Sequence, residues 1–74
     1  MSQTLGQKLV GISFNPSGNI IVDAVKQNAA DTIDLIQDSM QKATSEESLM
    51  IYNEAIRRIM DAQMWAVKAI TWKD

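Results

Sequence analysis

From Leu49 to Trp72 the chain carries apolar residues on two faces of one helix, and that pattern limits what it can fold into. Leu49, Tyr52, Ile56, Ile59, Val67 and Ile70 recur at helical spacing and form one stripe, with Met60 and Ala66 close beside it. Ile51, Ala55, Ala62, Trp65, Ala69 and Trp72 form a second stripe on an adjacent face. From Ala62 to Trp72 only Gln63, Lys68 and Thr71 are polar. A helix apolar nearly all round has to be buried nearly all round. One partner helix covers one stripe, and the other would be a larger exposed patch than a soluble monomer usually tolerates. Were five such side chains covered by a neighbouring molecule, each would contribute on the order of 1.5–3 kcal/mol before entropy costs. That total is comparable with the stability of a small domain, so folding and assembly are expected to be coupled.

Chain length points the same way. With 74 residues the chain is one small domain, residues 1–74, and a domain of that size is marginal by itself. Disulfides, a structural metal or oligomerisation usually rescue such chains. The chain has no Cys and no His, so disulfides are impossible and a zinc site has no plausible ligands. Oligomerisation is what remains. Of the residues, 46% are apolar, but Phe, Trp and Tyr together supply only four. The rest are the Ile, Val, Leu, Met and Ala of helix–helix seams.

Residues 1–18 read as an arm, in which Gly6 and Gly11 break any helix longer than a turn or two. The cluster Asn15-Pro16-Ser17-Gly18-Asn19 can start a helix in two ways. Asn15 can cap with Pro16 at the first helical position, or Asn15 to Gly18 can turn with Asn19 as the cap. The second is favoured, because Gly18 is poor in a first turn. A helix is then expected over 19–42, with Val22, Val25, Ala29, Ile33, Ile36 and Met40 on its inner face. Lys26, Gln27, Asp31, Asp34, Gln37, Asp38 and Gln41 fall on the other side. Thr44-Ser45-Glu46-Glu47 reads as a capping box, with Thr44 as the cap and Glu47 reaching back, opening a second helix over 45–72. The short connection implies antiparallel neighbours. The expected fold is all-α: an antiparallel two-helix hairpin with a short N-terminal arm, assembled as a homo-oligomer.

The formal charge of −2 argues against a partner such as duplex DNA, and no basic recognition helix is visible. No apolar run approaches the ~20 residues of a membrane span, and no basic, apolar leader opens the chain, so a cytoplasmic location without membrane attachment is expected. No enzyme is expected either. Without His or Cys there is neither a conventional triad nor a thiol nucleophile. The carboxylate pairs Asp31/Asp34 and Glu46/Glu47 read as a solvated face and a capping turn. Gly11 and Gly18 fit no P-loop or dinucleotide fingerprint, so no cofactor is expected.

The candidate ligand site is the junction between arm and first helix: Gly11, Ile12, Ser13, Phe14, Asn15 and Ser17, with Lys26 about two turns into the helix. Ser13, Asn15, Ser17 and Asn19 can hydrogen-bond phosphate or base edges, Phe14 can stack on a base, and Lys26 can neutralise a phosphate. The plain alternative makes Phe14 a hydrophobic staple, Asn15 to Gly18 an ordinary turn and Lys26 a surface lysine. The stretch from Ala62 to Trp72 has the same ambiguity, nucleobase platform or packing seam, and composition favours the seam. Arg57 and Arg58 read most simply as a solvated edge or as salt-bridge partners of Glu54 and Asp61, or else as the lining of an anion pocket between protomers.

Three segments carry a family resemblance. They are Val10-Gly11-Ile12-Ser13-Phe14-Asn15-Pro16-Ser17-Gly18-Asn19, then Val22-Asp23-Ala24-Val25-Lys26 with Ala30 and Ile33-Asp34, and last Ala62-Gln63-Met64-Trp65-Ala66-Val67-Lys68-Ala69-Ile70-Thr71-Trp72. Together they resemble the helical-hairpin sponges that bacteriophages use against cyclic-nucleotide immunity, the anti-CBASS sponges and relatives that counter Thoeris. The resemblance implies a homohexamer that binds cyclic dinucleotides in pockets between protomers, and in some members cyclic trinucleotides at separate sites. It implies immune evasion in the host bacterial cytoplasm by sequestering the messenger without cleaving it. It implies that Lys26 contacts phosphate. An aromatic residue follows the arm's glycine in the family, whereas here Ile12 follows Gly11 and Phe14 is the nearest ring, so base stacking is open between the two. The competing expectation is a helical-hairpin oligomerisation or protein-interaction module with no nucleotide ligand.

Overall fold

The computed structural model of the chain describes residues 2–15 and 18–73. They form three α-helices and no strand: α1 (Leu5–Val10), α2 (Ile20–Met40) and α3 (Glu46–Ile70). The two long helices stop one to two residues inside the expected 19–42 and 45–72, as helix ends commonly do. The expected arm is not all irregular, since its middle is α1.

Local chemistry accounts for α1. Thr4 caps it in a reciprocal box: the Gln7 amide donates to Thr4 Oγ1 at 3.1 Å, and the Thr4 amide donates to Gln7 Oε1 at 2.9 Å. Gly11 ends it in the left-handed conformation, at φ 62°. The Gly11 amide donates to the Lys8 carbonyl and the Ile12 amide to the Gln7 carbonyl, which is the paired Schellman closure.

Asn19 starts α2. Its side chain accepts from the amides of Ile21 at 2.8 Å and Val22 at 3.2 Å, and the Gly18 amide donates to the Asn15 carbonyl just before it. Asn19→Ala removes this cap and is expected to lower stability by about 1 kcal/mol, read as a reduced urea midpoint at unchanged slope. The cap of α3 is Ser45, which accepts from the Ser48 amide at 3.1 Å. The expected Thr44–Glu47 box does not form: the cap sits one residue later, the third residue of the helix is Ser48, and Glu46 and Glu47 are both in the first turn.

Helices α2 and α3 run antiparallel. Near the loop the hydroxyls of Ser39 and Tyr52 share a 2.8 Å hydrogen bond. Midway Ile33 and Ile56 join one core cluster, and at the far end Lys26 and Gln63 line one cleft. The buried residues of α2 are Val22, Lys26, Ala30 and Ile33. This face is rotated from the expected one, and Lys26, expected on the polar side, lies within it. The cause is α1, which packs over Ala30 and shifts the covered stripe toward that flank. Val10 and Ile12 complete the core from the α1 side.

Helix α1 packs against both α2 and α3, and its Val10 shares one core cluster with Ala30, Ile33 and Ile56. The principal-axis extents are 46 × 31 × 12 Å, the shortest being about one helix diameter. The second stripe of α3 faces away from that cluster: Ile51 is 67%, Trp65 62% and Trp72 63% exposed. Among the described residues no helix is long and apolar enough to cross a membrane.

Candidate functional site

The site forms where the chain leaves α1 and crosses the first turns of α2. The left-handed Gly11 reverses the chain there, and the Phe14 amide donates to the Gly11 carbonyl at 2.9 Å. The reversal brings the Gly11 and Phe14 carbonyls together over α2. Lys26, 5% exposed, donates from Nζ to both of them, at 2.9 Å to Gly11. The ammonium has three N–H donors, and these two bonds use two of them. Nζ also lies 5.3 Å from the centroid of the Phe14 ring, within cation–π range. No carboxylate lies within 4 Å of it among the described residues; its nearest partners are the two carbonyls and the aromatic face.

A cleft of about 400 Å³ opens beside this ammonium. Its rim on one side is the end of α1, Lys8 to Val10, and its other wall is α3, through Gln63, Met64 and Val67. The volume lies at the lower end of the roughly 300–1,000 Å³ typical of small-molecule pockets. Gln63 is 6% exposed, and its Oε1 is buried without a hydrogen-bond partner. A buried acceptor left unpaired costs about 1–3 kcal/mol.

Of the residues expected at the site, Gly11, Phe14 and Lys26 come together at this cleft. Ile12 does not: it is half-buried against the core and donates its amide to Gln7. Of the two stacking candidates, only Phe14 presents a free ring face, being 71% exposed, and that exposure also rules out its role as a staple. Ser13 is exposed and away from the cleft lining. Asn15 is engaged within the α2 cap, donating to the Asn19 carbonyl and to Asp23 Oδ1, both at 2.8 Å, and accepting from the Asn19 amide. Ser17 and Pro16 lie outside the described residues.

The α3 wall was not foreseen. Its signal was the gap at position 63 in the stripe that runs through Ile56, Ile59 and Val67, where a polar residue takes an inward place. Asp34, expected on a solvated face, instead accepts the Gly6 amide at 2.8 Å. Arg57 and Arg58 both pair with Glu54, at 3.4 and 3.0 Å, and neither pairs with Asp61 among the described residues. These pairs are exposed and contribute little to stability. On the outer stripe Lys68 Nζ sits 5.2 Å from the Trp65 ring and 5.8 Å from the Trp72 ring. Among the described residues no cluster of three or more Asp or Glu side chains is placed to hold a metal.

Comparison with protein-family models, with curated proteins and with solved structures finds no match to this chain.

Proposed function

We propose that the chain is a non-enzymatic sponge: a homo-oligomer, hexameric in the arrangement its resemblance implies, that binds cyclic oligonucleotide second messengers and withholds them without cleavage. Its target would be the cyclic dinucleotides, and by the same resemblance cyclic trinucleotides, of CBASS-type bacterial immunity. The observation that carries this reading is the Lys26 ammonium, buried with no carboxylate partner among the described residues, at the edge of a cleft beside the exposed Phe14 ring. A cation with an N–H to spare suits phosphate, and a free aromatic face suits a base. The cleft is open and small for a ligand with two bases, so a second copy would supply the missing wall, and the uncovered stripe of α3 offers the means of bringing that copy in.

Calorimetric titration with 3′,3′-cyclic di-AMP, 3′,3′-cyclic GMP–AMP and cyclic tri-AMP tests this reading. Binding of at least one ligand, recovered intact afterwards, is the expected result. Phe14→Ala is the sharpest probe, because so exposed a ring contributes little to the fold. Its loss is expected to weaken binding about tenfold or more, given ~1–3 kcal/mol for a base stacked on an aromatic side chain. Lys26→Ala would also release the turn at residues 11–14 and so mix two effects.

A second reading has its own observation. Lys26 already holds two carbonyls, which is a sufficient structural role, and the exposed Trp65–Trp72 stripe fits a hairpin that only assembles or caps another protein. No heat with any of the three ligands favours it.

A further inference from the structure

We infer that Gln63 reads the base in this cleft, its side-chain carbonyl accepting a hydrogen bond from an N–H on the base edge of a bound nucleotide. The inference rests on the cleft being a nucleotide site. Gln63 interrupts the inward stripe of α3 between Ile59 and Val67. It is 94% buried, and Oε1 has no partner, while a Met of the same length would fill the space with no acceptor left unpaired. A buried acceptor in that condition calls for a donor from outside the chain. The donor's chemistry follows from what else lines the cleft. Lys26 supplies a cation and Phe14 a ring face, so the complementary molecule has an anionic group, a flat ring and an N–H donor on that ring's edge. A nucleotide whose base carries an amino group has all three. Rotation about the terminal bond of the Gln63 side chain, which is soft, turns Oε1 toward such a donor.

The test pairs ligands that differ only in that donor. Cyclic di-AMP is compared with its purine-riboside counterpart, which lacks the amino groups. Adenosine 5′-monophosphate is compared with purine riboside 5′-monophosphate. Each is titrated calorimetrically into the wild-type chain and into Gln63→Met, with native mass spectrometry and a thermal melt on both proteins. The wild type is expected to favour the amino-bearing member about tenfold or more, because a site built around a hydrogen bond rejects the analogue that lacks it. Gln63→Met is expected to bind both members alike, with a melting temperature equal to or above that of the wild type. Equal binding of a pair by the wild type overturns the inference, as does a preference that survives in Gln63→Met. So does a changed subunit count in Gln63→Met with the preference intact, which assigns the carbonyl to a contact between copies. Discrimination between the mononucleotides, with no binding of cyclic di-AMP, cyclic GMP–AMP or cyclic tri-AMP, removes the sponge reading and leaves this one standing. Cyclic-dinucleotide binding without discrimination does the reverse, and no binding of any of the four removes this inference, while the sponge reading falls only if cyclic GMP–AMP and cyclic tri-AMP also fail to bind.

Discussion

Gly6→Ala is expected to destabilise the protein by about 2–4 kcal/mol, taking steric overpacking and a lost charge-assisted hydrogen bond against the gain in helix propensity. On propensity alone the sign would be opposite, since Ala in place of Gly favours a helix by about 1 kcal/mol. Packing wins at this position. A Cβ built on Gly6 would overlap the carbonyl oxygen of Ala30 and lie 2.8 Å from both the Ala30 carbonyl carbon and Asp34 Oδ1. The first two are helix backbone and cannot step aside, so α1 has to lift off α2. Lifting it breaks the bond from the Gly6 amide to Asp34, which supplies a carboxylate to an otherwise unpaired amide at the positive end of α1. It also uncovers Val10, which is 4% exposed in place. Circular dichroism through a urea titration reads the effect as a lowered midpoint. Because α1 ends in the turn that carries Gly11 and Phe14, ligand binding is expected to fall with it. A Gly6→Ala chain more stable than the wild type would mean that α1 does not dock through this contact.

Gly6 also shows what periodicity conveys and what it omits. The two long helices follow from local patterns that act within a few residues: apolar spacing, the Asn19 cap, and a five-residue connection between Met40 and Glu46 too short for anything but antiparallel neighbours. Gly6 read as a breaker because glycine lowers helix propensity. Its role as the point of closest approach depends on Ala30, 24 positions away, and no local pattern encodes that pairing. Lys26 was placed on the polar side for the same reason. A lysine on a two-helix hairpin belongs in solvent, and only the chain folding back from Gly11 supplies the carbonyls that make its burial tolerable. Residues 11 and 14 were legible as site candidates because turn chemistry is local. Gln63 was visible only as a gap in a stripe, since an unpaired acceptor is a property of the folded surroundings and not of the residue type. Capping erred by a single position: Thr44 and Ser45 have equivalent hydroxyls, and both precede an acidic residue that suits the helix dipole.

Trp65→Glu is expected to break the proposed assembly, raising its dissociation constant by about 30-fold to 1,000-fold, the equivalent of roughly 2–4 kcal/mol for a Trp at the centre of an interface. A stable domain normally packs two layers around one core. This chain is 12 Å across its shortest axis, and Ile51, Trp65 and Trp72 are turned away from the core that its helices share among the described residues. In the proposed assembly a second copy laid on that face would cover it, with the Lys68 ammonium, 5.2 and 5.8 Å from the two indole rings, at the edge of the contact. Glutamate at 65 would remove the indole and bring a carboxylate into the contact, even with Lys68 one turn on as its partner, whereas Trp65→Phe keeps a ring there and is expected to assemble. Sedimentation velocity across a micromolar dilution series checks both variants, and a wild-type chain that stays folded as a single subunit throughout would refute the assembly. The consequence reaches the cleft, because Met64, next in sequence to Trp65, lies in its wall. If neighbouring copies complete that wall, ligand affinity in Trp65→Glu depends on protein concentration, lost where the variant is dissociated and recovered where mass action restores the assembly. An affinity independent of concentration would instead place the whole binding site within one chain.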